Sequence, residues 1–145
     1  MFKHILIPTD GSAMAQKVIR DGIAFAKEIG AEVTGFHVMP GMPIFPYQVE
    51  VLVDTREKFS EECVACASGY LADIATAAKQ AGVKCRTHYM TSDYPYEAII
   101  QAAKDKGCDL IVMASHGRRG VRGLLLGSET QKVLTHSLIP VLVYR

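Results

Sequence analysis

The sequence predicts an α/β fold: one domain, residues 1–145, built on a doubly wound five-stranded parallel sheet with helices on both faces. The first observation is alternation, because five short apolar runs typical of strands alternate with four longer segments of helical periodicity. The second is the run DLIVMAS (109–115), which is apolar almost throughout, as expected for a central parallel strand covered on both faces. The third is continuity, since the chain has no linker, low-complexity segment or internal repeat.

The first part of the chain predicts two strands joined by a helix. HILIPTD (4–10) is typical of a short buried strand, and Ser12 is suited to cap a helix that Gly30 ends. EVTGFHVMP (32–40) is the second strand, and GMPIFPY (41–47) is predicted to be irregular because it holds two prolines. One face of the helix carries its small and apolar residues, which are Ala15, Val18, Ile19, Gly22, Ala26 and Ile29.

The second part predicts three helices and three strands. A long helix runs from about Val49 to Gln80, and KCRTHYMTS (84–92) alternates in the way of a strand near a sheet edge. A helix over 95–107 precedes the central strand over 109–115. A last helix, from Ser128 to about Ser137, precedes the final strand PVLVYR (140–145).

Two of the four cysteines, Cys63 and Cys66, have the spacing of a metal or redox pair. Both also fall on the apolar stripe of the long helix, where cysteine behaves as a small apolar residue. Since no second Cys/His pair lies at zinc-finger spacing, the sequence favours the core interpretation over metal or redox chemistry.

Composition excludes several function classes. Hydrophobic residues make up 49% of the chain and charged residues 21%, and the net charge of +1 gives no reason to expect nucleic acid. No apolar run is long enough to span a membrane, and the N-terminal residues lack the pattern of a signal peptide. We therefore expect a protein of the cytoplasm.

Two strand ends carry unusual residues. PTDGS (8–12) follows the first strand and ASHGRRG (114–120) follows the fourth. Ligands of doubly wound sheets bind beyond the carboxyl ends of the strands, where the strand order reverses. If these strands are neighbours, a binding crevice lies between their ends.

The loop after the fourth strand has features of a phosphate site. It carries glycines, three arginines (Arg118, Arg119 and Arg122) and the start of a helix, whose free N–H groups bind anions. It matches neither the dinucleotide fingerprint nor the P-loop. The alternative is structural, because Ser128 and Gln131 have the spacing of a capping box and the arginines could be a solvated loop face.

The segments ILIPTDGS, HVMP, GCDLIVMASHGRRG, LLLGSETQKVL and PVLVYR, in this order, resemble those of a universal stress protein, and they span residues 5 to 145. The nucleotide-binding branch of that family carries Gly-x-x-Gly, nine residues, and then Gly-Ser or Gly-Thr. Here Gly117 is the second glycine, Gly127 and Ser128 close the pattern, and Ala114 replaces the first glycine. Alanine fits there if the backbone has ordinary strand geometry.

The resemblance implies a Rossmann-like, adenine nucleotide alpha hydrolase-like fold that binds ATP, or AMP or ADP, with Mg²⁺ accompanying the nucleotide. Asp10 would lie near the ribose or the metal, Val38 near the adenine, and Glu129 would point its side chain outward. The residues implied to bind the nucleotide are Pro8, Thr9, Asp10, Val38, Met113, Ala114, His116, Gly117, Gly127, Ser128, Glu129 and Thr130.

Several of these residues have a structural alternative. Asp10 could form an Asx turn with Gly11 and Ser12, and His116 could be a surface histidine. The resemblance also implies a homodimer through the strand 140–145, since an exposed edge strand invites pairing with a copy of itself.

The chain shows no clear catalytic dyad, so an ATP-binding regulatory or stress-response protein is preferred. A slow ATPase that uses the same site and a nucleotide-free dimeric scaffold remain the alternatives.

Overall fold

The computed structural model describes residues 1–42, 52–118 and 126–145. Within these ranges strands and helices alternate in the predicted order. Their bounds are β1 (His4–Pro8), α1 (Ala13–Ile29), β2 (Glu32–Met39), α2 (Leu52–Ala81), β3 (Cys85–Thr91), α3 (Pro95–Asp105), β4 (Leu110–Ala114), α4 (Ser128–His136) and β5 (Val141–Tyr144).

The five strands form one sheet in the order β3-β2-β1-β4-β5, and every neighbouring pair is parallel. Strand β1 lies at the centre, where Ile5 is opposite Val33 of β2 on one side and Leu110 of β4 on the other. Strand β3 is at an edge, as its alternating pattern predicted, and β5 is at the opposite edge. The predicted fold class is confirmed.

The helices cover both faces of this sheet. Helices α1 and α2 pack on one face around Ile5, Ile7 and Val112, whereas α3 and α4 pack on the other around Leu6 and Ile111. The chain therefore winds outward from β1 to β3, and then returns to build β4 and β5 on the other side. The strand order reverses between β1 and β4, where the crevice was expected.

Helix α1 begins and ends at the predicted residues. The Ser12 side chain accepts a hydrogen bond from the Ala15 N–H at 3.1 Å, and Gly30 ends the helix in the left-handed conformation at φ 68°. Ile29 is an exception to the predicted apolar face. It is 37% exposed because it belongs to the last turn, where the helix leaves the sheet.

Helix α2 corrects the cysteine interpretation in part. Ala67 and Ile74 are fully buried, but Cys63 is only half-buried and Cys66 is exposed. Because Ala67 is the next residue, the sheet does cover this turn of α2, and Cys66 is exposed because it lies about 100° around the helix from the buried face. The core interpretation of Cys66 is wrong.

Two predicted features lie outside the described residues. Most of the segment 41–47 is in the first gap, and Arg119 and Arg122 are in the second. Among the helices that the structure describes, none has the length and apolar character needed to cross a membrane.

Candidate functional site

The ends of β1 and β4 meet as the sequence predicted. The Arg118 N–H donates to Oδ2 of Asp10 at 3.0 Å, although the two residues are 108 positions apart in the chain. This hydrogen bond joins the turn after β1 to the loop after β4. The two specialised segments therefore form one site.

Asp10 forms the Asx turn that was one of its two alternatives. Its Oδ1 accepts the Ser12 N–H at 3.0 Å, while Oδ2 is taken by the Arg118 N–H. Burial alone would raise the pKa of this carboxyl, but the hydrogen bonds from Ser12 and Arg118 outweigh it, and the pKa lies below its ordinary value. Asp10 is thus a negative charge at neutral pH, held where the two segments meet.

Two glycines allow the two segments to approach closely. Gly11 has φ +74°, and a Cβ there would overlap the Tyr70 ring. A Cβ at Gly117 would collide with the Asp10 carboxylate. Gly117 therefore has a structural reason to be glycine that does not require a ligand.

Helix α4 is attached directly to the end of β4. The Gly127 N–H donates to the Ser115 carbonyl at 2.6 Å, and the Thr130 hydroxyl donates to the Ala114 carbonyl at 2.9 Å. A Cβ at Gly127 would lie 3.1 Å from His116 Cα and 3.3 Å from the Ser115 carbonyl oxygen. Ala114 itself is a strand residue, and no described residue other than glycine has a positive φ, so alanine fits here in place of glycine.

The predicted capping box at α4 is absent. Gly127 is the N-cap residue, with extended backbone at φ −69° and ψ 154°, and Ser128 is the first residue of the helix. The Gln131 side chain instead donates to the Leu126 carbonyl at 3.0 Å. Because the Ser128 side chain is one position too late, it does not cap the helix.

The first turn of α4 begins with three backbone donors. The N–H groups of Ser128, Glu129 and Thr130 have no acceptor among the residues that the structure describes. They lie beside the end of β4, at the positive end of the helix dipole. Such a terminus can bind an anion through its backbone.

Glu129 directs its carboxylate away from this turn, as expected. Its Oε2 accepts the Tyr96 N–H at the start of α3 at 2.9 Å, and its Oε1 pairs with Lys132 at 2.9 Å. The Glu129 N–H has no acceptor among the described residues. The Thr130 hydroxyl, in contrast, was expected to face phosphate, and its proton is donated to the Ala114 carbonyl instead.

Apolar and polar residues complete the crevice at the end of β1. Val38 and Met113 belong to the same apolar cluster, on the α3 and α4 side of the sheet. Thr9 is buried, and its N–H donates to the Phe36 carbonyl at 2.8 Å. Pro8 is the last residue of β1.

His116 has a neighbour but no carboxylate partner among the described residues. Its Nδ1 lies 3.0 Å from the hydroxyl of Ser115, which is buried. His116 itself is half-buried beside the open turn of α4. This position suits a ligand contact better than a catalytic base.

Three residues at the site were not singled out from the sequence: His37, Tyr70 and Ser115. His37 Nδ1 is hydrogen-bonded to the Thr9 carbonyl at 2.7 Å, and its ring packs edge-on against Tyr70 with centroids 5.2 Å apart. Tyr70 is one of many residues on a helical stripe, and only its contacts with Gly11 and Arg118 reveal its position. No sequence signal identifies it.

The described residues contain no group of three or more His, Cys, Asp or Glu side chains arranged to hold a metal. Asp10 alone could contribute a carboxylate ligand to a cation that a nucleotide carries.

Comparison with known proteins gives the family. A family model described as Universal stress protein family matches residues 1–145. A universal stress protein of Methanocaldococcus jannaschii is 33% identical over 145 residues, covering 100% of this chain and 83% of that one. The solved structure of another Methanocaldococcus jannaschii protein is 29% identical and has a TM-score of 0.82, over 99% of this chain and 95% of that one.

Two further solved structures share the fold at lower identity. One is a universal stress protein in complex with cAMP, at 21% identity and a TM-score of 0.70, covering 99% of this chain and 97% of that one. The other is an Archaeoglobus fulgidus universal stress protein in complex with dAMP, at 18% identity and a TM-score of 0.63, covering 100% and 98%. The match of the family model over the whole chain and the relative at 33% identity place the chain in the universal stress protein family.

Proposed function

We propose that this protein binds an adenine nucleotide, ATP in the first instance, in the crevice between the ends of β1 and β4, and that it serves as a regulatory or stress-response protein. The observation that carries this proposal is the first turn of α4, whose three N–H groups at 128–130 have no acceptor among the described residues. A phosphate group satisfies such donors and is favoured by the helix dipole.

The residues around that turn suit the rest of a nucleotide. Val38 and Met113 offer apolar contacts for a base, and Thr9 and Asp10 lie at the end of β1 where a ribose would be held. His116 and Gly117 belong to the segment after β4, where Gly117 lies against Asp10, and Gly127 leads into the first turn of α4. Bound Mg²⁺ would neutralise phosphate charge, with Asp10 as its protein ligand.

Relatives support the adenine base in particular. Two universal stress proteins of the same fold have been solved in complex with cAMP and with dAMP. Both ligands combine adenine with a single phosphate, which the same crevice would accommodate. We propose ATP over these because the segment 117–128 carries the spacing Gly, nine residues, Gly-Ser.

The test is a proline that removes one donor and leaves the helix intact. Proline is well tolerated at the first helical position, and Gly127 before it already has the extended backbone that a following proline requires. Ser128→Pro should therefore fold normally and weaken ATP binding about tenfold, as loss of a charge-assisted hydrogen bond implies. Isothermal titration calorimetry measures the affinity, and thermal melting checks the fold.

Ser128→Ala is the matched control because it keeps the N–H and removes only the hydroxyl. It should lose less affinity than Ser128→Pro. Equal affinities for the wild type and a folded Ser128→Pro variant would contradict the proposal. Gly127 is a poorer position for this test, since a side chain there would collide with the backbone of residues 115 and 116.

A second measurement separates a nucleotide-binding protein from a ligand-free scaffold. The purified protein is denatured, and the small molecules released are identified by mass spectrometry. We expect an adenine nucleotide. The absence of one, together with calorimetry that shows no heat on adding ATP, AMP or adenosine, would favour the scaffold.

We also propose a homodimer that forms through the final strand, and we place the protein in the cytoplasm. Strand β5 is at the sheet edge, where Leu142 is 38% exposed. An edge of this kind pairs readily with a second copy. Light scattering after size exclusion should give twice the chain mass, and Leu142→Lys should shift the protein toward monomer. Tyr89→Lys, on the opposite edge, is the control, and a monomeric wild type at micromolar concentration would refute the dimer.

A further inference from the structure

We infer that Tyr70 is a positioning residue, which holds the Arg118 guanidinium on the side of the turn that carries Asp10 and Gly11, so that the site selects nucleotides by their phosphate charge. The inference rests on the proposed nucleotide site and adds to it the residue that sets charge selectivity. Tyr70 belongs to α2, a helix that no sequence motif links to the site.

Tyr70 reaches the crevice from the middle of α2. Its hydroxyl accepts a hydrogen bond from Nη2 of Arg118, and the Arg118 guanidinium carbon lies 5.1 Å from the centroid of its ring. The same side chain thus provides both a hydrogen-bond acceptor and a face for a cation–π contact.

The Tyr70 ring is itself fixed from two further directions. Its edge lies against Gly11, where there is no room for a Cβ, and the His37 ring packs against it edge-on at 5.2 Å. On α2, Leu71, which follows Tyr70, and Ile74, one turn further on, are buried. A tyrosine held in this way is a rigid support for the arginine.

Arg118 needs such a support because it is exposed. A free arginine side chain samples many rotamers, and ordering it loses conformational entropy. When Tyr70 holds the guanidinium, the arginine side chain is already ordered in the free protein, so ligand binding does not lose that entropy. The backbone of the same residue is held as well, by its N–H bond to Asp10.

The position of the Arg118 charge matters because Asp10 brings a negative charge to the same site. The Asp10 carboxylate is ionised at neutral pH and lies where the two segments meet. It would repel a polyphosphate and leave uncharged adenosine unaffected. The Arg118 charge, which attracts the Asp10 carboxylate, offsets that repulsion. The nearby Glu129 carboxylate does not add to the repulsion in the same way, because Lys132 pairs with it at 2.9 Å.

The experiment compares ligands as well as variants. Calorimetry on the full chain would measure the affinities for ATP, AMP and adenosine in the wild type, Arg118→Gln, Tyr70→Phe and the double variant. Tyr70→Phe keeps the ring against Gly11 and removes only the hydroxyl. Arg86→Gln removes a positive charge at the other end of the sheet and serves as the control.

We expect Arg118→Gln to lose about tenfold in ATP affinity and less than about twofold in adenosine affinity, because only ATP carries charge. Tyr70→Phe should lose about threefold for ATP, with adenosine again nearly unchanged. The double variant should be no worse than Arg118→Gln, since both changes act through the same contact. Arg86→Gln should bind all three ligands like the wild type.

Two outcomes would overturn the inference and leave the nucleotide site standing. One is equal loss of ATP and adenosine affinity in Tyr70→Phe, which would mean a general structural role. The other is an additive double variant, which would separate Tyr70 from Arg118. A wild type that binds none of the three ligands would instead overturn the proposed function, and this inference with it.

Discussion

The two ends of the sheet differ in how their polar groups are hydrogen-bonded. At the amino end, where β1, β2 and β4 begin, the Asp109 and Glu32 carboxylates and the His4 ring have partners. At the carboxyl end, the Asp10 and Glu129 carboxylates also have partners, but three N–H groups at the start of α4 have no acceptor among the described residues. The candidate site therefore combines main-chain donors without a described partner with side chains that are paired.

The amino end illustrates such pairing. His4 is buried and hydrogen-bonded through Nε2 to the Thr34 hydroxyl at 2.7 Å. The Asp109 carboxylate accepts the N–H groups of Lys3 and His4 at 2.9 and 3.0 Å. Glu32 pairs with Lys84 at 2.6 Å, and this hydrogen bond lowers the pKa of its carboxyl. These three side chains are therefore already engaged within the protein.

At the carboxyl end, the carboxylates of Asp10 and Glu129 have the same structural role as the carboxylate of Asp109. Each carboxylate accepts backbone N–H groups from another segment, so each joins two parts of the chain. Asp10 thereby holds the loop after β4, and Glu129 joins the start of α4 to the start of α3.

The largest effect is expected from Gly11→Ala. The backbone there has φ +74°, and the new Cβ would also overlap the Tyr70 ring, so two costs add. We expect a loss of about 3 kcal/mol in the free energy of unfolding, measured by urea denaturation.

Gly82→Ala is the control for Gly11→Ala at the amino end. Gly82 has a similar φ of +75°, but a Cβ there would meet no heavy atom within 4 Å. It should lose only about 1 kcal/mol. Equal losses in the two variants would mean that the contact between Tyr70 and Gly11 does not constrain the turn.

The next effect concerns the pairing at the amino end. Asp109→Ala leaves the N–H groups of Lys3 and His4 without their charged acceptor. We expect a loss of about 2 kcal/mol in the free energy of unfolding, with ATP affinity unchanged. Asp105→Ala, which removes only an exposed contact with Gln101 on α3, should stay within about 0.5 kcal/mol. A large change in ATP affinity in Asp109→Ala would show that the two ends are coupled.

A smaller effect is confined to acid pH. The pKa of Asp10 lies below its ordinary value of 3.8 in the folded protein, so the unfolded chain takes up the proton first as the pH falls. The stability that ionised Asp10 contributes is present above the unfolded pKa and is lost as the pH falls through the folded pKa. Asp10→Asn should therefore make stability less dependent on pH in this acid range.

The pKa of Asp109 is lowered too, because the hydrogen bonds from His4 and Lys3 outweigh the effect of burial. Asp109→Asn, at the other end of the sheet, should thus also make the free energy of unfolding less dependent on pH in the acid range. Urea denaturation at a series of pH values measures both variants. If the free energy of unfolding of Asp10→Asn depends on acid pH as steeply as that of the wild type, the hydrogen bonds to Asp10 do not favour its ionised form.

The smallest effect concerns the cysteines. Cys66 is exposed, and Cys66→Ser should change the free energy of unfolding by less than about 0.5 kcal/mol. Cys108, at the amino end, is buried, and burial raises the pKa of its thiol to about 11. A thiol reagent at about pH 8 should label Cys66 first and Cys108 roughly tenfold more slowly or worse, because the thiolate is the reactive form. Peptide mapping follows the order, and denatured protein is the control. Rapid labelling of Cys108 would contradict the tight packing of this end.

Local sequence patterns determined the fold class, the strand order at the edges and most helix ends. A strand covered on both faces must be apolar throughout, and a helix that ends at glycine has a residue able to adopt positive φ. These are properties of short segments, so β4 and the end of α1 at Gly30 could be predicted. The prediction that PTDGS and ASHGRRG meet also needed only the rule for ligand sites in parallel sheets.

Tertiary structure alone decided how the residues at that meeting point are used. Ser128 has the spacing of a cap, but the chain enters α4 one residue earlier than that pattern implies. Its hydroxyl therefore does not cap the helix, and its N–H has no acceptor among the described residues. Tyr70 reaches the site because α2 crosses over the turn after β1, a contact between positions 59 residues apart. Hydrophobic periodicity shows which face of a helix or strand is apolar. Which residue of another element contacts that face depends on how whole helices and strands pack together.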